Sequence, residues 1–186
     1  RDQPRSRGLG DVYKRQVYFL VLKRFIIFIL LQGLIFNNFD FFGSFDPYIA
    51  LVFILTFPIK INKITFLIAS FCFGICLDLF SNSLGLNTAA CLTAAFSRSY
   101  ILGFVFGSFF DPLGLKLIKN YISESSFSQK FLYLVSIILI HHFVLFSLEA
   151  FSFEFFSLII YKTFLTSLLT LTFCTTTIYI MIKNEK

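Results

Sequence analysis

Apolar stretches separated by short polar ones recur along the chain, at about residues 17–36, 47–58, 64–80, 86–106, 131–148 and 158–182. Several approach or exceed the roughly 20 residues that a helix needs to cross about 30 Å of hydrocarbon. The period-two alternation of a membrane β-barrel strand is absent. The pattern therefore predicts an all-α integral membrane protein of about six transmembrane helices. The second stretch, between Pro47 and Pro58, is too short to cross upright by itself. It has to extend into its flanks, tilt, or be shielded by neighbours. The third and fourth are joined by Ser81-Asn82-Ser83-Leu84-Gly85, a turn composition.

The polar positions sort by side. In a six-crossing arrangement Lys23, Arg24, Lys60, Lys63, Lys116, Lys119, Lys130, Lys183 and Lys186 fall at one face, while the opposite loops carry Asp40, Asp46, Glu149 and Glu154 without a basic residue. The positive-inside rule then places both termini in the cytoplasm. Lys23 and Arg24 are expected to reach the inner headgroups, and Arg98, toward the inner end of the fourth span, to snorkel there. Lys162, near the outer end of the sixth span, is the exception. The polar segment 111–130 opens with the turn Asp111-Pro112-Leu113-Gly114, and Leu115–Ile122 suits a short amphipathic helix on the inner surface.

Composition agrees with a membrane fold: 57% of residues are hydrophobic and 29 are Phe, with mean hydropathy +0.82. The formal charge of +6 does not by itself imply an anionic partner, since half of the excess lies in residues 1–16. That Arg-, Gly- and Gln-rich stretch differs from the Phe-, Ile-, Leu- and Asn-rich remainder and resembles a translated adapter junction. Residues 1–16 are thus expected to be a non-native, adapter-derived leader, the alternative being a basic cytoplasmic tail, and 17–186 a single multi-span membrane domain.

Charged and polar side chains inside the spans are the candidate chemistry. Asp78 is the only charged residue of the third span, and a carboxylate at membrane depth costs on the order of several kcal/mol, so it should face protein. It completes a stripe with Ser70 and Gly74 at i, i+4, i+8, while the fourth span carries the small pairs Ala90/Ala94 and Cys91/Ala95. Such spacing lets helix backbones approach closely. Asp78 and Lys162 lie at similar depth and are expected to pair; a proton or cation site at Asp78 is the functional alternative. His141 falls near mid-membrane, and His142, Phe146 and Glu149 form a stripe toward the outer end, suited to interhelical hydrogen bonding. The four cysteines lie in apolar runs and act as small hydrophobes. Cys72 and Cys76 share a helix face, but no third ligand completes a metal set. No phosphate loop, nucleophile with a base or nucleic-acid motif is present, so no catalytic, cofactor or metal residue is expected.

Gly74, Asp78 and Arg98 belong to a longer series: Leu31-Gln32 with Asn37-Asn38, Asp46-Pro47-Tyr48, Phe57-Pro58, Phe73-Gly74, Asp78-Leu79-Phe80-Ser81, Gly85-Leu86-Asn87-Thr88-Ala89-Ala90 and Ala95-Phe96-Ser97-Arg98. His141-His142, Leu145-Phe146 and Glu149-Ala150-Phe151-Ser152 follow. In order and spacing this series resembles the family of rod shape-determining protein MreD, over nearly all of residues 17–186. Asn87 departs from the His common in that family, and Ser97 from an apolar residue. The resemblance implies a non-enzymatic scaffold in the bacterial inner membrane, similar in fold to the substrate-binding membrane components of energy-coupling-factor transporters. It implies binding to MreC and, through it, to MreB, RodA and a class B penicillin-binding protein, within the lipid bilayer and without nucleic acid. In that reading Gly74, Asp78, Ala90 and Ala94 pack the helix core and lipid-facing Phe, Leu and Ile positions receive the span of MreC. Two rivals are a small-molecule capture component of a transporter, with an outward pocket bounded by the loop 37–46, and an intramembrane enzyme using His141 or His142.

Overall fold

The structure, a computed structural model, describes residues 5–38, 45–59, 61–107 and 125–184, with side-chain surroundings from Arg15 onward. Asp40, Lys60, Lys116, Lys119, Lys186 and the expected surface helix at 115–122 lie outside the described residues. Among those described, every regular element is helical: α1 (Arg5–Leu30), α2 (Leu51–Leu55), α3 (Lys63–Ser81), α4 (Leu86–Phe106), α5 (Phe127–Ala150) and α6 (Phe156–Asn184). A π turn at Leu31–Ile35 and a 3₁₀ turn at Phe36–Asn38 continue α1. Local signals set several of the ends. Asn62 Oδ1 accepts the Ile64 N–H at 3.2 Å to start α3, and Ser126 with Gln129 forms a reciprocal capping box at the start of α5. Asn82, at φ 51°, closes α3 in the left-handed region.

Five helical stretches are long and apolar enough to cross a membrane: 15–38, 63–81, 86–106, 127–150 and 156–183. The expected second transmembrane helix is not among them. Only five residues between Pro47 and Pro58 are helical, and Leu51, Val52, Phe53, Ile54 and Leu55 are each at most 1% exposed. The count of about six transmembrane helices is corrected accordingly, to five helices long and apolar enough to span among the described residues.

The reason lies in the neighbours. Asn37, at the end of α1, donates to Ser81 Oγ at the end of α3 (3.0 Å), so α1 and α3 run in parallel and the chain between them must return. It returns through the interior: Tyr48 lies beside Asn87 at the start of α4, and the Phe57 carbonyl lies against Arg98. Asn87 and Arg98 are separated by roughly 16 Å at helical rise. A path that mixes one short helix with extended residues covers more depth per residue than a helix does. Residues 47–58 thus thread the bundle and are lined by protein on all sides.

Aromatic packing holds the thread in place. Phe53 stacks on Phe73 of α3 at a centroid distance of 4.4 Å and meets Phe25 of α1 edge-on at 5.6 Å. Phe57 packs on Phe66 at 4.5 Å. Outward positions such as Phe104 (82% exposed) and Leu79 (78%) are apolar as well, as expected of a surface that meets lipid. The two ends of the bundle differ in charge. Lys23, Arg24, Lys63, Lys130 and Lys183 mark one, here the basic end; Asp46, Glu149, Glu154 and Lys162 mark the other, the acidic end.

Because Ile54 is interior and Phe104 is not, their truncations should separate. Ile54→Ala is expected to cost about 2–5 kcal/mol through cavity formation, and Phe104→Ala under about 0.5 kcal/mol. Equilibrium unfolding of the detergent-solubilised chain measures both. Equal small losses would place the 47–58 segment against lipid.

Candidate functional site

A threaded, mostly non-helical segment leaves backbone groups without helical partners, and in a membrane interior each must find one inside the protein. Side chains from four of the five long helical stretches supply them. Gln32, fully buried in the π turn, donates to the Pro47 carbonyl (3.4 Å) and accepts the Ala50 N–H (3.2 Å). Thr170 Oγ1 of α6 accepts the Tyr48 N–H at 3.0 Å, and the Cys174 thiol points at the Tyr48 carbonyl at 3.7 Å. Lower down, the Tyr133 hydroxyl of α5 donates to the Leu55 carbonyl (2.8 Å). Arg24 of α1 donates to the Thr56 carbonyl (3.1 Å), and Arg98 of α4 to the Phe57 carbonyl (2.5 Å).

Arg98 therefore does not snorkel. It is 3% exposed, donates through Nε to the Tyr133 hydroxyl (2.9 Å) and lies 5.0 Å from the Phe66 ring centroid. Its stem points inward because its acceptors, Phe57 and Tyr133, lie on neighbouring elements. Arg24 is likewise turned from the headgroups toward the thread, whereas Lys23 is exposed.

Asp78 has a different role from the expected one. Its carboxylate accepts the Asn87 N–H (2.9 Å), the Thr88 N–H (3.0 Å), the Thr88 hydroxyl and the Ser83 hydroxyl (2.6 Å). Asn87 and Thr88 are the second and third residues of α4, whose N-cap Gly85, at φ 88°, offers no side chain. Asp78 thus caps α4 from the neighbouring helix, satisfying orphan N–H groups and placing negative charge at the positive end of the helix dipole. The expected Asp78–Lys162 pair does not form. Lys162 Nζ instead lies 3.6 Å from Glu149 Oε1 and 5.7 Å from the Phe146 ring centroid. The acid needs no counter-cation because four donors converge on it.

Gly74, one turn below Asp78, makes this geometry possible: a Cβ there would overlap the Thr88 Cα. Ala90 and Ala94 are fully buried, as are Ser70 and His141, so the small-residue stripes form tight helix contacts. Both His rings pack on Tyr48, at centroid distances of 5.1 and 5.6 Å. His142 Nε2 lies 3.0 Å from the Thr170 hydroxyl, and His141 Nε2 lies 3.7 Å from Cys91 Sγ. Since Thr170 already accepts from Tyr48, its own proton is available to His142. Cys72 is exposed and Cys76 half-buried. Among the described residues no group of three metal-ligating side chains converges.

Above this layer, at the acidic end, a cavity of about 460 Å³ opens between α1, the thread, the α3–α4 turn, α5 and α6. Asn37, Asp46, Tyr48, Ser83, Glu149, Lys162 and Thr166 are among the residues that line it. Tyr48 donates to Asn87 at its floor. The structure thus brings Gly74, Asp78, Ala90, His141 and His142 around the upper thread, sets Arg98 at its lower end, and leaves Glu149 and Lys162 on the cavity wall. Gln32, Tyr48, Asn87, Tyr133 and Thr170 were not singled out from sequence as site residues. Of these only Gln32, a lone amide in an apolar run, carries a local signal. No family model, no curated protein and no solved structure matches the chain.

Two substitutions separate cap from ion pair. Asp78→Ala is expected to cost at least about 2 kcal/mol, from the lost cap and charge-assisted bonds. Lys162→Gln should change stability by no more than about 0.5–1 kcal/mol, as for a solvent-screened pair. Unfolding in detergent reads both; similar losses would return Lys162 to the role of counter-charge. In the same assay Arg98→Leu, which leaves the Phe57 carbonyl unpaired, is expected to cost about 1–3 kcal/mol or more.

Proposed function

We propose that the chain is a non-enzymatic component of the bacterial wall-elongation complex, of the MreD kind, held in the inner membrane with both termini cytoplasmic. The observation that carries this reading is the convergence of the residues that resemble that family. Gln32, Asp46-Pro47-Tyr48, Phe57-Pro58, Gly74, Asp78, Asn87, Arg98 and His141-His142 are scattered over 110 positions, yet they meet along the thread or in the α4 cap that Tyr48 joins to it through Asn87. A series whose members depend on one another physically is a more specific resemblance than the same motifs taken singly.

Their consumption in holding the thread also bears on activity. Asp78 and Arg98 are saturated with structural bonds, and the two His rings are packed against Tyr48. A surface left for function on this reading is that of the helices, apolar along α3 and α4 at Ile68, Leu79, Phe96 and Phe104. Such a surface suits the single span of MreC, with MreB, RodA and the class B penicillin-binding protein reached through it. The concentration of lysine and arginine at one end supports the cytoplasmic placement of that end.

A second reading is favoured by the cavity at the acidic end, where polar groups from several elements converge. It makes the chain the small-molecule-binding membrane component of a transporter, similar in fold to those of energy-coupling-factor systems. Affinity purification from detergent of the tagged chain from its own cells distinguishes the two. Recovery of MreC with the elongation enzymes is expected. Recovery of an ATPase module without them would overturn the scaffold reading in favour of the second.

A further inference from the structure

The cavity at the acidic end has properties that the thread does not require. Its volume of about 460 Å³ lies within the range of about 300–1,000 Å³ typical of small-ligand sites. Thr166 lies on its wall, is 2% exposed, and its hydroxyl has no hydrogen-bond partner among the described residues. Leu145 and Phe146 provide an apolar patch beside it.

The charges on the wall are specific in kind. Lys162 and Glu149 face each other at 3.6 Å, and both side chains keep substantial exposure. A pair so exposed is held weakly and is readily opened. Asp46 also lines the cavity, so that the lining holds two carboxylates to one ammonium. This balance disfavours a phosphate or other polyanion. It suits a ligand whose carboxylate takes Lys162 while its ammonium takes Glu149, replacing one exposed ion pair by two in a partly enclosed space.

We propose that this cavity binds a small zwitterion of the amino-acid class, its carboxylate on Lys162, its ammonium on Glu149 and its side chain against Leu145 and Phe146. The inference concerns the same cavity as the second reading but needs no ATPase partner. Binding to the isolated chain tests it, whereas copurification tests the assembly, so the two can fail separately.

The experiment is thermal unfolding of the purified full chain in detergent with each standard amino acid in turn, up to about 10 mM, enough to occupy a site with a Kd of about 1 mM. At least one is expected to raise the melting temperature. For that one, Lys162→Gln and Glu149→Gln should each weaken apparent affinity at least about tenfold. Analogues lacking the ammonium or the carboxylate should give no shift. No shift with any amino acid would overturn the proposal. So would a shift that survives both charge substitutions, or one given equally by the analogue without the ammonium.

Discussion

The constraint on which this fold depends is that backbone buried in a membrane must have its hydrogen bonds met from within. Helices meet it automatically; the segment from Pro47 to Pro58 does not, because only Leu51–Leu55 are helical and proline contributes no N–H. The surrounding side chains carry that burden. Gln32 bonds both to the Pro47 carbonyl and to the Ala50 N–H, and Arg24, Tyr133 and Arg98 take three successive carbonyls from Leu55 to Phe57. Two arginines this deep would be costly among apolar neighbours alone. Here each is repaid by a carbonyl that would otherwise have no donor.

The acidic end follows from the same rule applied to a helix terminus. The turn between α3 and α4 needs left-handed conformations at Asn82 and Gly85, and glycine at the N-cap leaves the first N–H groups of α4 without a side-chain acceptor. Asp78 supplies the acceptor because the two helices approach so closely at Gly74 and Thr88. Helix packing and helix capping are thus one arrangement: a side chain at position 74 would push Thr88 away from the carboxylate that caps it. Tyr48, bonded to Asn87 in the same layer, ties the top of the thread to this cap.

What was legible in the sequence was what depends on local spacing. The stripe Ser70, Gly74, Asp78 and the pair Ala90, Ala94 do face the interior, and the turn 81–85 falls where its composition put it. The shortness of 47–58 was visible too, but its path was not, since that depends on partners as distant as Thr170, 122 positions from Tyr48. Arg98 illustrates the limit. By position it lies near enough to a helix end to reach headgroups, and only the Phe57 carbonyl, 41 residues away, explains its inward course. Lys162 failed similarly: depth along a helix was read correctly enough to find Asp78 as a candidate, yet rotation about the axis decided for Glu149.

The division of labour among polar residues then becomes an argument about where function resides. In the middle of the bundle Gln32, Arg24 and Arg98 serve backbone groups of the thread and Asp78 those of α4, so exchanging one for chemistry would unfasten the thread or uncap that helix. At the acidic end the demand is lower, because α5 and α6 are ordinary helices there and their backbones need nothing from Glu149, Lys162 or Thr166. Those three side chains line open space, and their removal leaves no carbonyl or N–H of the thread unpaired. Polar groups retained beside a cavity without a structural debt are the ones free to meet something from outside the chain, while the apolar helix faces below them are free to meet another span.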